Sequence, residues 1–193
     1  MKKIKSVLIL GASSDIGISV VKKFINEGWY VFAHGNKNTK QLKKLNNLNN
    51  KIKIIKSNLN NTKDIKKLIK VISTRKIVSF VNLVGYLDNI SYSRTDLKSL
   101  IKTLTINTLA PNLIKRSLIK NMEKLKFGRI LHLSSIGVKY GGSDFTYNYS
   151  FSKHALEYIP SYFKKLTKKN ILTNVLRVGV VNTKLLRKIK GKN

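Results

Sequence analysis

The sequence contains no cysteine, two prolines and eight acidic residues among its 193 positions. Without cysteine the chain has no disulfide framework and no thiolate metal site, which suits a reducing compartment. Its three histidines, His34, His132 and His154, lack the spacing of metal ligands, so we expect no metal site. No stretch approaches the roughly 20 apolar residues of a membrane span, and the apolar run near the N-terminus is too short for a signal peptide. We therefore expect a cytoplasmic protein without a membrane span.

Acidic residues are outnumbered by 39 lysines and arginines, which gives a formal net charge of +31. Such a surface attracts anions, including a phosphorylated cofactor, a phosphorylated substrate or an acidic carrier protein. The lysines are spread along the whole chain without interleaved aromatic residues or an arginine cluster, so we do not expect nucleic-acid binding. A coat of solvated lysines that reflects A/T-rich codons explains the charge equally well. The length suits one domain, residues 1–193, with its own core.

The stretch SVLILGASSDIG, residues 6–17, has the pattern of a strand, a small-residue turn and the start of a helix. The apolar run 7–10 suits a strand that is buried on both faces of a parallel sheet, and residues 16–27 have helical periodicity. In such a turn, backbone N–H groups and the helix dipole face an anion, most simply a diphosphate. An ordinary tight connection between strand and helix is the alternative. The candidate cofactor-binding residues of this turn are Gly11, Ala12, Ser13, Ser14, Ile16 and Gly17.

The rest of the chain alternates strands with helices. This alternation builds βαβ units, and it predicts a three-layer α/β/α sandwich with a mostly parallel sheet. The strands predicted from this pattern are 7–10, 29–33, 52–55, 77–84 and 128–134, and the predicted helices are 16–27, 39–48, 62–73, 95–120 and one that carries Tyr149 and Lys153. A sixth strand follows only from the family resemblance described below. Ligands bind at the carboxyl ends of such strands. The candidate binding residues near those ends are Asn36, Lys37, Asn58, Leu59, Asn82 and Gly85.

The second predicted strand is followed by His34-Gly35-Asn36-Lys37, which includes no acidic residue. A carboxylate at this place would accept hydrogen bonds from an adenosine ribose, whereas Asn36 and Lys37 suit the 2′-phosphate of NADP(H). We therefore favour NADP(H) over NAD(H). A solvated loop lysine in a lysine-rich chain is the alternative interpretation of Lys37.

Tyr149 and Lys153 are four residues apart and share one face of a predicted helix. An ammonium near a phenol lowers the pKa of the phenol, which can then protonate a carbonyl oxygen or deprotonate an alcohol. In so lysine-rich a chain this spacing also occurs by accident, so the context decides. Ser135 ends a predicted strand at the same edge of the sheet. Pro111 has no N–H for the carbonyl of Asn107, which makes that carbonyl a water site or merely kinks the helix.

These residues together resemble the short-chain dehydrogenase/reductase family, in the branch that includes the 3-oxoacyl-carrier-protein reductases. The resemblance spans nearly the whole chain and depends on motifs in the family's order: GASSDIG at 11–17, NLVG at 82–85, Asn107, Ser135, and Tyr149 with Lys153. It implies a Rossmann-type fold and hydride transfer between a nicotinamide cofactor and a carbonyl or alcohol.

By this likeness Tyr149 is the catalytic acid/base, and Lys153 lowers its pKa and holds the nicotinamide ribose. Ser135, which matches the family's pattern better than Ser134, orients the carbonyl, and Asn107 anchors the water of a proton relay. The stretch NVLRVGVVNT at 174–183 resembles the sixth strand and the turn that contacts the nicotinamide. The candidate cofactor-binding residues of that turn are Val181 and Thr183.

The chain also departs from the family's pattern. Asp15 replaces the middle glycine of the turn, where a carboxylate would repel phosphates unless it turns away as a cap. Pro160 is predicted inside the helix of Tyr149, which it would bend. The chain stops at Asn193, whereas family members continue with a helix pair over the substrate and a seventh strand. We therefore expect a missing seventh strand, an open sixth strand and a cavity without that lid.

Three functions are open. The expected one is NADP(H)-dependent reduction of a carbonyl to an alcohol, or the reverse, by hydride transfer with Tyr149 as proton donor. The second is a nucleotide-binding relative or truncated product without turnover, and the third is a basic interaction protein that keeps only the fold. The sequence does not identify the substrate, and a homo-oligomer through the long helices is a further expectation.

Overall fold

Parallel strands form one sheet in the computed structural model, which describes residues 5–190. Within these residues the sheet has six strands in the order β3-β2-β1-β4-β5-β6, and every neighbouring pair is parallel. The strands are β1 Ser6–Leu10, β2 Tyr30–Gly35, β3 Ile52–Lys56, β4 Ser79–Asn82, β5 Gly128–Ser135 and β6 Ile171–Val178. The first four residues and the last three lie outside the described part of the chain.

Helices lie between the strands and after the last one. They are α1 Asp15–Asn26, α2 Lys40–Leu48, α3 Thr62–Ser73, α4 Leu97–Leu104, α5 Ala110–Leu125, α6 Gly137–Tyr140, α7 Tyr147–Glu157, α8 Tyr162–Thr167 and α9 Lys184–Lys190. The N-cap of α3 is Asn61, whose side chain accepts a hydrogen bond from the backbone of Asp64 at 3.1 Å. Among residues 5–190, no helix is both long and apolar enough to cross a membrane.

The central strand β1 explains the layers. All five of its residues are buried, as its unbroken apolar run predicts. Leu8 and Leu10 pack in one apolar cluster with α3 and α5, whereas Val7 and Ile9 pack in another with α1 and α2. Burial of each of these side chains stabilises the fold by about 1.5–3 kcal/mol. The predicted Rossmann-type α/β/α architecture is therefore confirmed.

The long helix predicted over residues 95–120 is present as continuous helical turns over residues 97–125, with a change of helix type before Pro111. The chain forms α4, then a π-helical turn at Thr105–Leu109, and then α5, in whose first turn Pro111 lies. Because proline has no N–H, it cannot donate the α-helical hydrogen bond to the carbonyl of Asn107. The wider turn accommodates this missing bond, and such turns are frequent at functional sites.

Pro160 does not lie inside the helix of Tyr149, so the prediction that placed it there is wrong. Helix α7 ends at Glu157, and α8 begins at Tyr162. A proline at position 160 would lack a donor for the carbonyl of Leu156 and would clash with it, so the chain ends one helix and starts another.

Candidate active site

A cavity of about 620 Å³ lies along the carboxyl edge of the sheet, a size within the usual range for small-molecule sites. The glycine turn after β1 borders it on one side, and α7 and the segment after β6 border it on the other. This is the edge at which open α/β sheets bind ligands, because the strand order reverses on either side of β1.

The glycine turn needs its glycines for two different reasons. Gly11 has a φ of +75°, a conformation that favours glycine. A Cβ at Gly17 would collide with the backbone of Gly11 and lie 2.6 Å from the carbonyl carbon of Ala12, so only glycine lets α1 pack this close to the turn. Ser14 caps α1 by accepting a hydrogen bond from the N–H of Gly17 at 3.0 Å. The remaining N–H groups of the first turn of α1 are suited to bind an anion.

His34 supports this turn from below, a role that the sequence analysis missed. It is buried in β2, where its Nδ1 accepts a hydrogen bond from the N–H of Gly11 at 3.3 Å and its Nε2 lies 3.0 Å from the carbonyl oxygen of Ser57. Burial lowers the pKa of His34, so the ring is neutral, and these partners assign the proton to Nε2. A lone histidine in an apolar strand gives no sequence signal that separates this role from ordinary packing.

The carboxyl ends of β2 and β3 form the far end of the cavity. Asn36 and Lys37 are exposed there, and Ser13 lies against Gly35 so closely that a Cβ at Gly35 would be 3.0 Å from its hydroxyl. Asn58 also lines the cavity, and its N–H donates to the carboxylate of Asp64 at 3.0 Å. The described residues therefore place one exposed ammonium group, that of Lys37, beside polar groups at this end.

Tyr149 and Ser135 meet at the opposite end. Burial raises the pKa of the Tyr149 phenol, and the neighbouring Ser135 hydroxyl acts in the opposite direction. The Ser135 hydroxyl also accepts a hydrogen bond from the N–H of Gly137 at 3.2 Å. Gly85 opens this end of the cavity, since a Cβ there would lie 3.8 Å from the Tyr149 hydroxyl.

Lys153 is 2% exposed and does not act on Tyr149 as expected from the sequence. Its ammonium lies 5.6 Å from the centre of the Tyr149 ring and donates to the carbonyl oxygens of Val84 at 2.8 Å and Leu133 at 2.7 Å. Burial lowers the pKa of Lys153 to about 7. The pKa of Tyr149 is raised rather than lowered as expected from the sequence, because burial disfavours the charged form of each group.

Ser134 and Ser135 face different partners. The Ser134 hydroxyl is 3% exposed and donates to Glu157 at 2.6 Å, and Glu157 also forms an ion pair with Arg177 at 2.7 Å. Alternation along β5 directs Ser135 to the opposite side, where it meets Tyr149. Ser134 is therefore engaged in holding α7 and β6 together.

Asn107 is fully buried beneath the site and does not line the cavity. Its amide nitrogen donates to the carbonyl of Tyr86 at 2.9 Å and to the hydroxyl of Ser152 at 2.8 Å, and its amide oxygen accepts from the N–H of Tyr86 at 2.7 Å. Ser152 in turn donates to the carbonyl of Tyr149 at 2.7 Å. The side chain thus connects the π-helical turn to the first turn of α7.

The structure gathers most of the predicted site residues around one cavity. Those that line it are Gly11, Ser13, Ser14, Ile16, Asn36, Lys37, Asn58, Leu59, Gly85, Ser135, Tyr149, Lys153, Val181 and Thr183. Those that lie behind the lining are Ala12, Gly17, Asn82 and Asn107. Lining residues outside the predicted set include Asp15, which the sequence marks only as a departure from the family's pattern, and His34, Tyr86, Ile106, Ile136 and Leu185. Within the described part of the chain, no group of three or more His, Asp or Glu side chains is placed to hold a metal ion.

Comparison with solved structures gives the same fold at low sequence identity. The Cj0485 dehydrogenase matches with a TM-score of 0.83 and 22% identity over 99% of this chain and 74% of that one. A variant of the actinorhodin polyketide ketoreductase with NADPH matches with a TM-score of 0.86 and 20% identity, over 98% of this chain and 75% of that one. A short-chain dehydrogenase from Sphingobium yanoikuyae in complex with NADPH matches with a TM-score of 0.86 and 16% identity, over 97% of this chain and 75% of that one.

Comparison with curated proteins finds no match. A family model described as short chain dehydrogenase, by contrast, matches residues 5–193, which is almost the whole chain. The chain therefore belongs to the short chain dehydrogenase family.

Proposed function

We propose that this protein is an NADP(H)-dependent oxidoreductase that reduces a carbonyl compound to an alcohol, or catalyses the reverse reaction, with Tyr149 as proton donor. One observation carries the proposal: Tyr149 and Ser135 line the same cavity as a glycine turn at a helix N-terminus. Family membership supports the reaction class, and the NADPH found with two similar folds supports the cofactor.

The cavity's own residues fit a dinucleotide. At the glycine turn, a Cβ on Gly11 would lie 3.1 Å from the backbone of Leu83, so glycine lets the turn lie close against the end of β4. The turn and the N-terminus of α1 would hold the diphosphate, with Ser13, Ser14 and the backbone near Ile16 as donors. Ala12, Gly17 and Asn82 would act behind the lining as packing residues.

Lys37 supports the preference for NADP(H). It is exposed at the carboxyl end of β2, next to Asn36, and residues 34–38, which line the cavity there, carry no carboxylate that would repel a 2′-phosphate. Asn58 and Leu59 would border the adenine. A single lysine supplies one charged contact, so the expected preference is moderate.

At the reactive end, Tyr149 donates the proton. When bound, the reduced nicotinamide supplies a hydride to the carbonyl carbon. As the carbonyl oxygen becomes an alkoxide, the O–H bond of Tyr149 breaks and its proton passes to that oxygen, which gives the alcohol and a phenolate. Ser135 donates a hydrogen bond to the same oxygen and orients it. Because burial raises the pKa of Tyr149, the phenol is protonated at neutral pH, as a donor must be.

Lys153 and Asn107 complete the proposed site. The ammonium of Lys153 uses two of its three N–H bonds on Val84 and Leu133, and the third can meet the nicotinamide ribose. The carbonyl of Asn107 lacks its α-helical donor because of Pro111, and we assign it the water through which the Tyr149 phenolate regains a proton. Val181 and Thr183 would contact the nicotinamide.

Several finer points belong to the same proposal. We infer one domain over residues 1–193 and a place in the branch of the 3-oxoacyl-carrier-protein reductases, with a carrier-bound or phosphorylated carbonyl compound as the substrate that the net charge of +31 would attract. A homo-oligomer through the exposed apolar faces of α4 and α5, such as Leu97, Ile101 and Leu113, is consistent with their exposure.

The test is turnover with NADPH and a panel of ketones and acyl thioesters, followed at the nicotinamide absorbance band. Consumption of NADPH that depends on a carbonyl compound is the expected result. NADPH binding without consumption of any panel member would indicate a nucleotide-binding relative without turnover. Absence of NADPH binding would leave only a basic interaction protein with this fold.

A further inference from the structure

The segment after β6, residues 179–187, crosses the cavity, and we call it the strap. At its root the N–H of Ile136 donates to the carbonyl of Val178 at 2.9 Å. Within the strap, Arg187 donates from its backbone to Thr183 at 3.1 Å and from its guanidinium to Asn182 at 2.9 Å. These bonds give the strap a defined shape, and its position over the cavity depends on what holds its far end.

Asp15 holds that far end. Its carboxylate, in the first turn of α1, accepts a hydrogen bond from the backbone N–H of Lys184 at 2.8 Å and lies 3.9 Å from the guanidinium of Arg187. These contacts join residues that are 169 positions apart in the chain. Asp15 therefore connects the glycine turn to the strap.

The same contacts explain how an acidic residue is tolerated in the place of a glycine. A carboxylate that faced a diphosphate would repel it, but the Asp15 carboxylate is engaged by an N–H and a guanidinium of the strap. Its charge is partly neutralised there, and it also lies at the favourable N-terminal end of the α1 dipole. From the sequence we expect Asp15 to turn away from the phosphates and cap a helix. In the structure its carboxylate accepts a hydrogen bond from the N–H of Lys184, the first residue of α9.

Leu185, the neighbour of Lys184, reaches the reactive end of the cavity. A Cβ built on Gly85 would lie 3.5 Å from a methyl group of Leu185 and 3.8 Å from the hydroxyl of Tyr149. The leucine methyl and the phenol therefore flank the same small volume. Fixing the backbone of Lys184 fixes where the next side chain points.

We propose that Asp15 is a positioning residue that holds the strap across the cavity, so that Leu185 forms the wall that limits the size of the carbonyl substituent beside Tyr149. The part of this inference that concerns Leu185 rests on the proposed function, because it requires a carbonyl compound to bind there. The part that concerns Asp15 and the strap concerns the ligand-free protein alone.

The first experiment needs no cofactor. Amide hydrogen exchange is measured for residues 183–187 in the wild type, in Asp15→Ala and in Asp15→Asn, which keeps an acceptor oxygen for Lys184. Loss of a charged hydrogen-bond partner predicts exchange about tenfold faster or more in Asp15→Ala, with partial recovery in Asp15→Asn. Glu123→Ala, which removes a surface ion pair with Lys169, is the control and should leave the segment unchanged.

The second experiment measures kcat/KM for a small and a bulky ketone. Leu185→Ala is expected to raise the bulky-to-small ratio about tenfold, because it removes the wall, and Asp15→Ala is expected to shift the ratio in the same direction. Equal exchange at 183–187 in the wild type and Asp15→Ala would overturn the role of Asp15. An unchanged ratio in Leu185→Ala, with turnover intact, would overturn the wall. If the wild type reduced no carbonyl, the proposed function would fail and the wall with it, while the exchange comparison would still decide the role of Asp15.

Discussion

Burial of Lys153 should make the stability of the ligand-free protein depend on pH in a way that a single substitution removes. Burial lowers the pKa of Lys153 from 10.5 to about 7. Between these values the unfolded chain binds more protons than the folded chain, so stability rises with pH in that window. At about 1.4 kcal/mol per unit of pKa shift, Lys153 contributes a rise of about 2 kcal/mol between pH 7 and pH 9.

The substitution Lys153→Met keeps a similar volume and removes the ionisable group. The assay is thermal unfolding of both proteins without cofactor at pH 7 and pH 9, with the exposed lysine variant Lys22→Met as the control. For a chain of this size, about 2 kcal/mol corresponds to about 4–8 °C in melting temperature. From pH 7 to pH 9, the melting temperature of the wild type should therefore rise by about 4–8 °C more than that of Lys153→Met. If the melting temperatures of the wild type and Lys153→Met changed by the same amount between the two pH values, the ammonium of Lys153 would not be desolvated and its pKa would not be lowered.

Three further substitutions test other parts of the site. Gly17→Ala should destabilise the fold by about 2 kcal/mol or more in denaturant unfolding, since its Cβ would meet the backbone of Ala12 at 2.6 Å. Lys37→Ala should lower the affinity for NADPH about tenfold in a fluorescence titration and leave the affinity for NADH within about twofold of the wild type. Equal loss of affinity for both cofactors would mean that Lys37 is a solvated loop lysine. Ser135→Ala should lower kcat about 100-fold. Its matched control, Ser134→Ala, should lower stability through the lost contact with Glu157 and leave kcat nearly unchanged.

Local patterns predicted the architecture because the relevant signals are short in range. An unbroken apolar run such as 7–10 cannot be satisfied except in the middle of a covered sheet, and the structure buries all five residues of β1. Since parallel strands share a carboxyl edge, the small and polar residues after each strand were expected near one another. Tyr149, Ser135 and the glycine turn do border one cavity.

What the sequence did not reveal depends on burial and on distant contacts. The four-residue spacing predicted that Tyr149 lies near Lys153. Whether the pKa of Tyr149 is raised or lowered depends mainly on desolvation, which only the packed structure determines. His34 has the same neighbours in sequence whether it supports the glycine turn or merely fills space. The contact between Asp15 and Lys184 joins opposite ends of the chain, so no local pattern announces it.

The two prolines show a more specific limit of the sequence patterns. Pro111 and Pro160 each remove one donor, but the sequence does not say whether the chain answers with a wider turn or with a new helix. At Pro111 the preceding residues form a π-helical turn, and at Pro160 the chain separates α7 from α8. Whether a proline produces a wider turn or a break between two helices depends on how the flanking segments pack, and local helix propensity does not encode this packing.

The phenol of Tyr149 is proposed to deliver the proton in a cavity that binds a nicotinamide dinucleotide. Tyr149→Phe removes that phenol hydroxyl, and NADPH affinity and carbonyl turnover are measured on the same preparation of the variant. We expect an NADPH affinity within a few-fold of the wild type and a kcat lower by a factor of about 100 or more, because the change removes the proton donor and little else. Turnover at the wild-type rate, or a loss of NADPH binding as large as the loss of turnover, would show that Tyr149 is not the proton donor.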